Sequence, residues 1–146
     1  MNKVTFHTAD KSIPIKNRKY IKLLIQQLFF LEKCKLNKVA YIFCSDKYLL
    51  RLNRQHLNHH YYTDVLTFSF SLPKQPIEAE VYISTERTKE NAKFFNVSYQ
   101  NELLRVIIHA ALHLCGYMDS SKALKEKMRK KENFYIHLYE PNSRET

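Results

Sequence analysis

Cysteine is scarce and poorly spaced for chemistry of its own. Cys34, Cys44 and Cys115 are three in 146 residues, with no CxxC pair among them. An odd set of this kind suggests neither a disulfide framework nor a four-thiolate zinc site, and points to a reducing compartment. Long apolar runs are missing too. The opening MNKVTFHTADKS has no signal-peptide core, and the most apolar stretches are broken by Gln26 and Gln27 or by His109 and His113. A chain that is neither exported nor membrane-spanning is expected, in the cytoplasm. Glycine occurs once, at Gly116, where it follows an apolar helical pattern and marks a turn needing positive φ. Acidic side chains are outnumbered, 14 against 24 Lys and Arg, for a formal net charge of +10. Such a surface either attracts a polyanion, nucleic acid first among them, or serves only solubility, and charge alone leaves both readings open.

What remains is the balance of an ordinary globular protein, 45% hydrophobic and 26% charged. At this length one domain over residues 1–146 is expected. VTFHT alternates like a short strand, and Ile21, Leu24, Ile25, Leu28 and Leu31 recur at helical spacing over about 17–33. KVAYIFC (38–44) reads as a buried strand, with Ser45 and Asp46 offering cap chemistry to a helix through Leu49, Leu50, Leu52 and Asn53. DVLTFSF (64–70) and AEVYI (79–83) supply two more strands, and Ser84 caps a helix to about Phe95. Ser98 caps a largely apolar helix over about 99–115, and a basic helix follows from about Ser121 to Leu138, leaving PNSRET as a loose tail. The expected fold is α+β, a four-stranded mixed sheet with about five helices.

On the apolar helix, His109 and His113 lie four residues apart, so both rings project from one face. They are either two ligands of a metal or core histidines donating to backbone carbonyls. Two imidazoles without partners are costly in an apolar helix, and beyond the Gly116 turn Asp119 offers a carboxylate as third ligand. Zinc held by two histidines and one carboxylate keeps an open position. There it would bring the pKa of bound water to about 7 and polarise a phosphoryl oxygen, which is hydrolytic chemistry. Arg105 lies one turn before His109, either to clamp a phosphate or to pair with Glu102. A zinc protease of the HExxH type needs a glutamate where this chain has Ala110, which argues against peptide hydrolysis.

The stretch HAALHLCGYMD, His109 to Asp119, resembles the HGxLHLxGYDH motif of the YbeY family, zinc-dependent endoribonucleases of ribosomal RNA maturation. Leu52-Asn53, TDVLTF from Thr63 to Phe68, and Ala79-Glu80-Val81 are similar in order and spacing to that family's LN, TDVLSF and GDI blocks. The resemblance implies a zincin-like site on a core helix, one zinc ion per chain at His109, His113 and Asp119, and catalytic roles for His109 and His113; Arg105 joins them as a catalytic candidate from its place on the same helix stripe. It also implies a part in ribosome quality control, with ribosomal RNA or the small ribosomal subunit as partner.

The chain departs from the pattern where Met118 and Asp119 replace the family's Asp-His, so a harder ligand replaces an imidazole and metal preference is expected to change. Leu57 stands where the family has an arginine, with Arg54, His56, His59 and His60 nearby as candidate substitutes. Asp64 either orients a ligand histidine or makes a turn interaction at its strand's entrance. Leu57 and Asp119 favour the alternative function, a ribosome-associated RNA-binding assembly factor with weakened catalysis.

Overall fold

Side chains along a strand point alternately to opposite faces, and here that alternation divides the protein into two layers of packing. In the computed structural model, which describes residues 3–57 and 63–144, four strands form one sheet. They are β1 (Val4–Thr8), β2 (Leu36–Cys44), β3 (Val65–Ser69) and β4 (Ile77–Ser84), in the order β1-β2-β4-β3. β1, β2 and β4 are parallel, and β3 runs antiparallel to β4 with Val65 opposite Ile83. Val39, Tyr41 and Phe43 of β2 share a buried face with Ala79, Val81 and Ile83 of β4.

That face carries the main core, built with α1 (Arg18–Leu31), α4 (Tyr99–Leu114) and α5 (Lys122–Arg144). α2 (Asp46–Leu57) contributes to a smaller cluster, in which Leu49 packs with Cys44 and Leu66 and is flanked by Phe68 and Tyr82. α3 (Thr85–Phe95) leads from β4 into α4. Among the described residues this is the α+β arrangement read from the sequence, with a mixed four-stranded sheet and five helices. No described helix is long and apolar enough to cross a membrane.

Element ends differ from the sequence pattern where pairing, not propensity, decides them. β2 begins at Leu36 and β4 at Ile77 because these two residues pair with each other across the sheet. α5 continues through the expected tail to Arg144.

α4 is the centre of the packing. Leu103, Leu104, Ile107, Ile108, Ala111 and Leu112 are all buried, and the fully buried Tyr41 hydroxyl donates to the Ile107 carbonyl at 3.0 Å. A helix held on so many sides is a rigid mount for any side chain it presents. The Ser84 amide donates to the Asp64 carbonyl at 2.9 Å, which fixes Asp64 at the entrance to β3 beside the end of β4.

A candidate metal centre

α4 starts on a side-chain cap and ends on a backbone one. The Ser98 hydroxyl accepts from the Asn101 amide at 3.1 Å. At the other end the Gly116 amide donates to the His113 carbonyl and the Tyr117 amide to the Leu112 carbonyl, both at 3.0 Å. This is the paired closure of a Schellman motif, in which the residue after the cap takes positive φ. Gly116 has φ +102°, and a Cβ added there would meet nothing within 4 Å, so backbone angle alone demands glycine. Gly116→Ala is expected to cost about 1–2 kcal/mol, read by urea denaturation. An unchanged midpoint would show that the turn relaxes freely.

The turn does more than end the helix. The Tyr117 carbonyl accepts from His113 Nδ1 at 2.8 Å, and the chain then brings Asp119 back over the two imidazoles. His109 Nδ1 donates to Glu132 Oε2 at 2.6 Å. With both Nδ1 atoms committed as donors, each ring turns an Nε2 lone pair toward the other. The Nε2 atoms are 3.0 Å apart, and Asp119 Oδ2 lies 3.4 Å from each. Three acceptors converge with no donor among them, an arrangement that only a cation or an added proton relieves. A tetrahedral ion bound at about 2.0–2.2 Å requires ligand atoms about 3.3–3.6 Å apart; the two Asp119 edges of 3.4 Å fit that spacing, and the 3.0 Å imidazole edge has to open by about 0.3 Å. His109, His113 and Asp119 can therefore hold a metal ion.

Glu132 of α5 carries the arrangement from behind. Its side chain is only 6% exposed and its Oε1 accepts from Arg105 NH1 at 2.9 Å. Burial alone would raise the Glu132 pKa, but the His109 and Arg105 contacts outweigh it and hold the carboxylate charged. Burial likewise works to lower the His109 pKa, and the Glu132 hydrogen bond and charge, with Asp119 and Asp64, turn the shift upward.

Arg105, read from the sequence as a phosphate clamp or a partner of Glu102, spends its guanidinium on Glu132 and on Asn133 Oδ1, the latter at 2.9 Å. Asp64 faces the same site, but Glu132 and not Asp64 takes the His109 Nδ1 proton in a hydrogen bond. Burial raises the Asp64 pKa, and Asn91 Nδ2 donates to it at 3.4 Å.

These groups line a cavity of about 250 Å³ bounded by Asp64, Arg105, His109, Asp119, Lys125, Arg129 and Glu132, with Val106 and Met128. Arg54 and His56 are not among its lining residues; His56 rests edge-on against Phe68, with ring centroids 5.7 Å apart. His59 and His60 lie outside the described residues.

A second cluster anchors the turn. The Glu32 carboxylate, at the end of α1, accepts from the Tyr117 hydroxyl at 2.6 Å, from Lys131 Nζ at 3.1 Å and from the Tyr135 hydroxyl. Burial pushes its pKa up, but these three donors together bring it below the ordinary value. A carboxylate with a lowered folded pKa stabilises the protein above its unfolded pKa, and the contribution disappears as pH falls through the folded one. Glu32→Gln is expected to lose about 1–3 kcal/mol at neutral pH, with the deficit shrinking below about pH 4. Denaturation at both pH values checks this; an equal deficit at each would rule out the charge as the cause.

The family model for endoribonuclease YbeY matches residues 3–140. The chain belongs to the YbeY endoribonuclease family. A YbeY relative from Cytophaga hutchinsonii is 39% identical over 92% of this chain and 94% of its own. One from Flavobacterium psychrophilum is 48% identical over 70% and 72% respectively. A solution structure from Thermotoga maritima superimposes with a TM-score of 0.65 at 27% identity, covering 97% of this chain and 92% of that one. Within this YbeY chain, Glu132 was not singled out by sequence reasoning, and neither was the Glu32 clasp. A signal for Glu132 exists: it interrupts the buried stripe of α5, between Met128 and Tyr135, at a spacing where an apolar residue belongs.

Proposed function

We propose that the chain, acting as one YbeY-like unit over residues 1–146, is a metal-dependent endoribonuclease. It cuts single-stranded RNA in ribosomal RNA maturation and ribosome quality control in the cytoplasm. One zinc ion per chain is held by His109, His113 and Asp119, and ribosomal RNA or the small subunit is the partner. The observation that carries the reading is the convergence of three acceptor atoms at 3.0–3.4 Å, with His109 and Asp119 lining an open cavity, in a chain with net charge +10. Family membership and the endoribonuclease names of the relatives support the same reaction class.

When bound, the ion supplies Lewis acidity, drawing off negative charge that develops on the scissile phosphoryl oxygen and orienting the attacking oxygen. The protein's part is preorganisation. His109 and His113 present Nε2 because Glu132 and the Tyr117 carbonyl hold their Nδ1 protons, so no ring has to turn when substrate arrives. Arg105 acts as a positioning residue, fixing the carboxylate that fixes His109. Asp64, with its pKa raised by burial, is placed on the cavity wall to hold a proton during P–O cleavage.

The direct experiment incubates the purified protein with an unstructured RNA oligonucleotide, after chelation and after zinc is restored. Cleavage that returns with zinc and is absent in His113→Ala is the expected result. Leu57, where the family has an arginine, favours a second reading, an RNA-binding assembly factor with weakened catalysis. RNA binding without cleavage at saturating zinc would replace the first reading by this one.

A further inference from the structure

Building on the ribonuclease reading, we infer that one face of α5, carrying Lys122, Lys125, Arg129 and Lys130, is the track along which the RNA backbone enters the cleft. Lys125 and Arg129 are assigned the phosphates nearest the metal centre.

The basic residues of α5 fall into two groups that are indistinguishable in the sequence. Lys127 and Lys131 have their ammonium groups 5.6 and 5.8 Å from the centre of the Tyr117 ring, and Lys131 also pairs with Glu32. These two hold the Gly116 turn. Lys122, Lys125 and Lys130 have no carboxylate within ion-pair reach among the described residues. Arg129 comes no nearer to Glu132 than 4.0 Å, and its side chain is 59% exposed.

Lys122, Lys125 and Arg129 follow an i, i+3, i+7 spacing, which aligns them in one stripe about 10 Å long. Lys125 and Arg129 line the 250 Å³ cavity that holds His109 and Asp119. The same two residues line a shallower depression along α5 with Lys122, Glu126 and Lys130. The two hollows are thus joined through a shared pair of cations.

The remaining cavity wall makes such cations necessary. Asp119 and Glu132 face the space beside Asp64, and a phosphodiester approaching charged carboxyl groups is repelled unless positive charge compensates. Arg105 is committed to Glu132 and Asn133, so on the described lining the remaining compensation falls to Lys125 and to Arg129, whose ion pair with Glu132 is long at 4.0 Å. Contacts from flexible ammonium and guanidinium groups to phosphates read no sequence, so the track positions the strand and leaves selectivity elsewhere.

The test measures binding of a labelled, unstructured single-stranded RNA to the whole protein in chelator, where cleavage is silent, across about 50–200 mM salt. Each phosphate neutralised contributes about −0.7 to the slope of log affinity against log salt. The Lys125→Ala/Arg129→Ala double variant is expected to lose about 1.4 from the wild-type slope and to bind about tenfold more weakly at 0.1 M salt. A Lys125→Gln/Arg129→Gln variant, keeping a polar side chain without the charge, should behave alike. Circular dichroism verifies that both fold. A wild-type slope in both folded variants would overturn the proposal while leaving the ribonuclease reading intact. An unchanged RNA slope with lost binding of polyglutamate would reassign the strip to an acidic protein. Absence of any salt-dependent RNA binding by the wild type would sink the ribonuclease reading itself.

Discussion

His113→Ala is expected to leave the protein folded and without stoichiometric metal, with RNA cleavage abolished. His113 is half-buried on α4, and alanine suits a helix, so the fold tolerates the change. The metal does not, because a two-ligand remnant of His109 and Asp119 competes poorly with water and chelators. Loss of a residue that merely orients a ligand costs about 10–100-fold in affinity, and removing a ligand outright should exceed that. Asp119→Ala, measured in parallel, asks whether the carboxylate is a ligand or only a neighbour. Its Oδ2 is 3.4 Å from both Nε2 atoms, so the expected loss is of similar size. Metal analysis after dialysis reads both variants. Full occupancy in Asp119→Ala would reduce the centre to the histidine pair and require a ligand from another part of the chain.

The largest expected loss of stability comes from Glu132→Ala. Removing one member of a buried ion pair strands its partner, at about 3–5 kcal/mol, and here Arg105 and His109 are both left without their carboxylate. The sign with pH follows from the lowered Glu132 pKa: its contribution is present above the unfolded carboxylate pKa and vanishes as pH falls through the folded value. Wild type and variant should therefore differ most near neutrality and converge in acid. Glu132→Gln keeps the shape but not the charge, and should hold the fold better while still weakening metal binding about 10–100-fold. A Glu132→Ala protein as stable as wild type at pH 7 would mean that Arg105 and His109 find other partners, and the relay from α5 to the metal centre would have to be abandoned.

The legible part of the site was local. His109 and His113 share a helix face whatever else the chain does, because 3.6 residues per turn places i and i+4 together, and Gly116 with Asp119 follows within six residues of His113. Glu132 was not legible as a site residue. It lies 23 residues from His109, and its only mark is that it occupies an apolar position of α5. Arg105 shows the reverse. Its stripe position was plain, but its partner was misread, since a helix neighbour three residues away competes with a carboxylate on another helix and only packing decides between them.

The sheet follows the same division. Alternation in KVAYIFC and AEVYI marks two buried strands, while nothing in either segment states that they lie side by side in parallel with β3 on the outer edge.

By itself the sequence determined where helices and strands form, which residues avoid water, and that two imidazoles and a carboxylate lie near one glycine turn. These are consequences of short-range geometry and hydrophobic periodicity, which operate within one element and its cap. Only the tertiary structure decided the rest. It turned Asp119 back over the imidazoles, set Glu132 behind His109, tied the Arg105 guanidinium to Glu132 and Asn133 on the cavity wall, and separated the lysines that brace the Tyr117 turn from those on the cleft side of α5. The contacts of Glu132 and Glu32, and the rim that α5 gives the cleft, join segments distant in the chain and exist because the apolar faces of α1, α4 and α5 pack on one sheet. Distances of that kind are set by the closure of the core and not by any spacing along the chain.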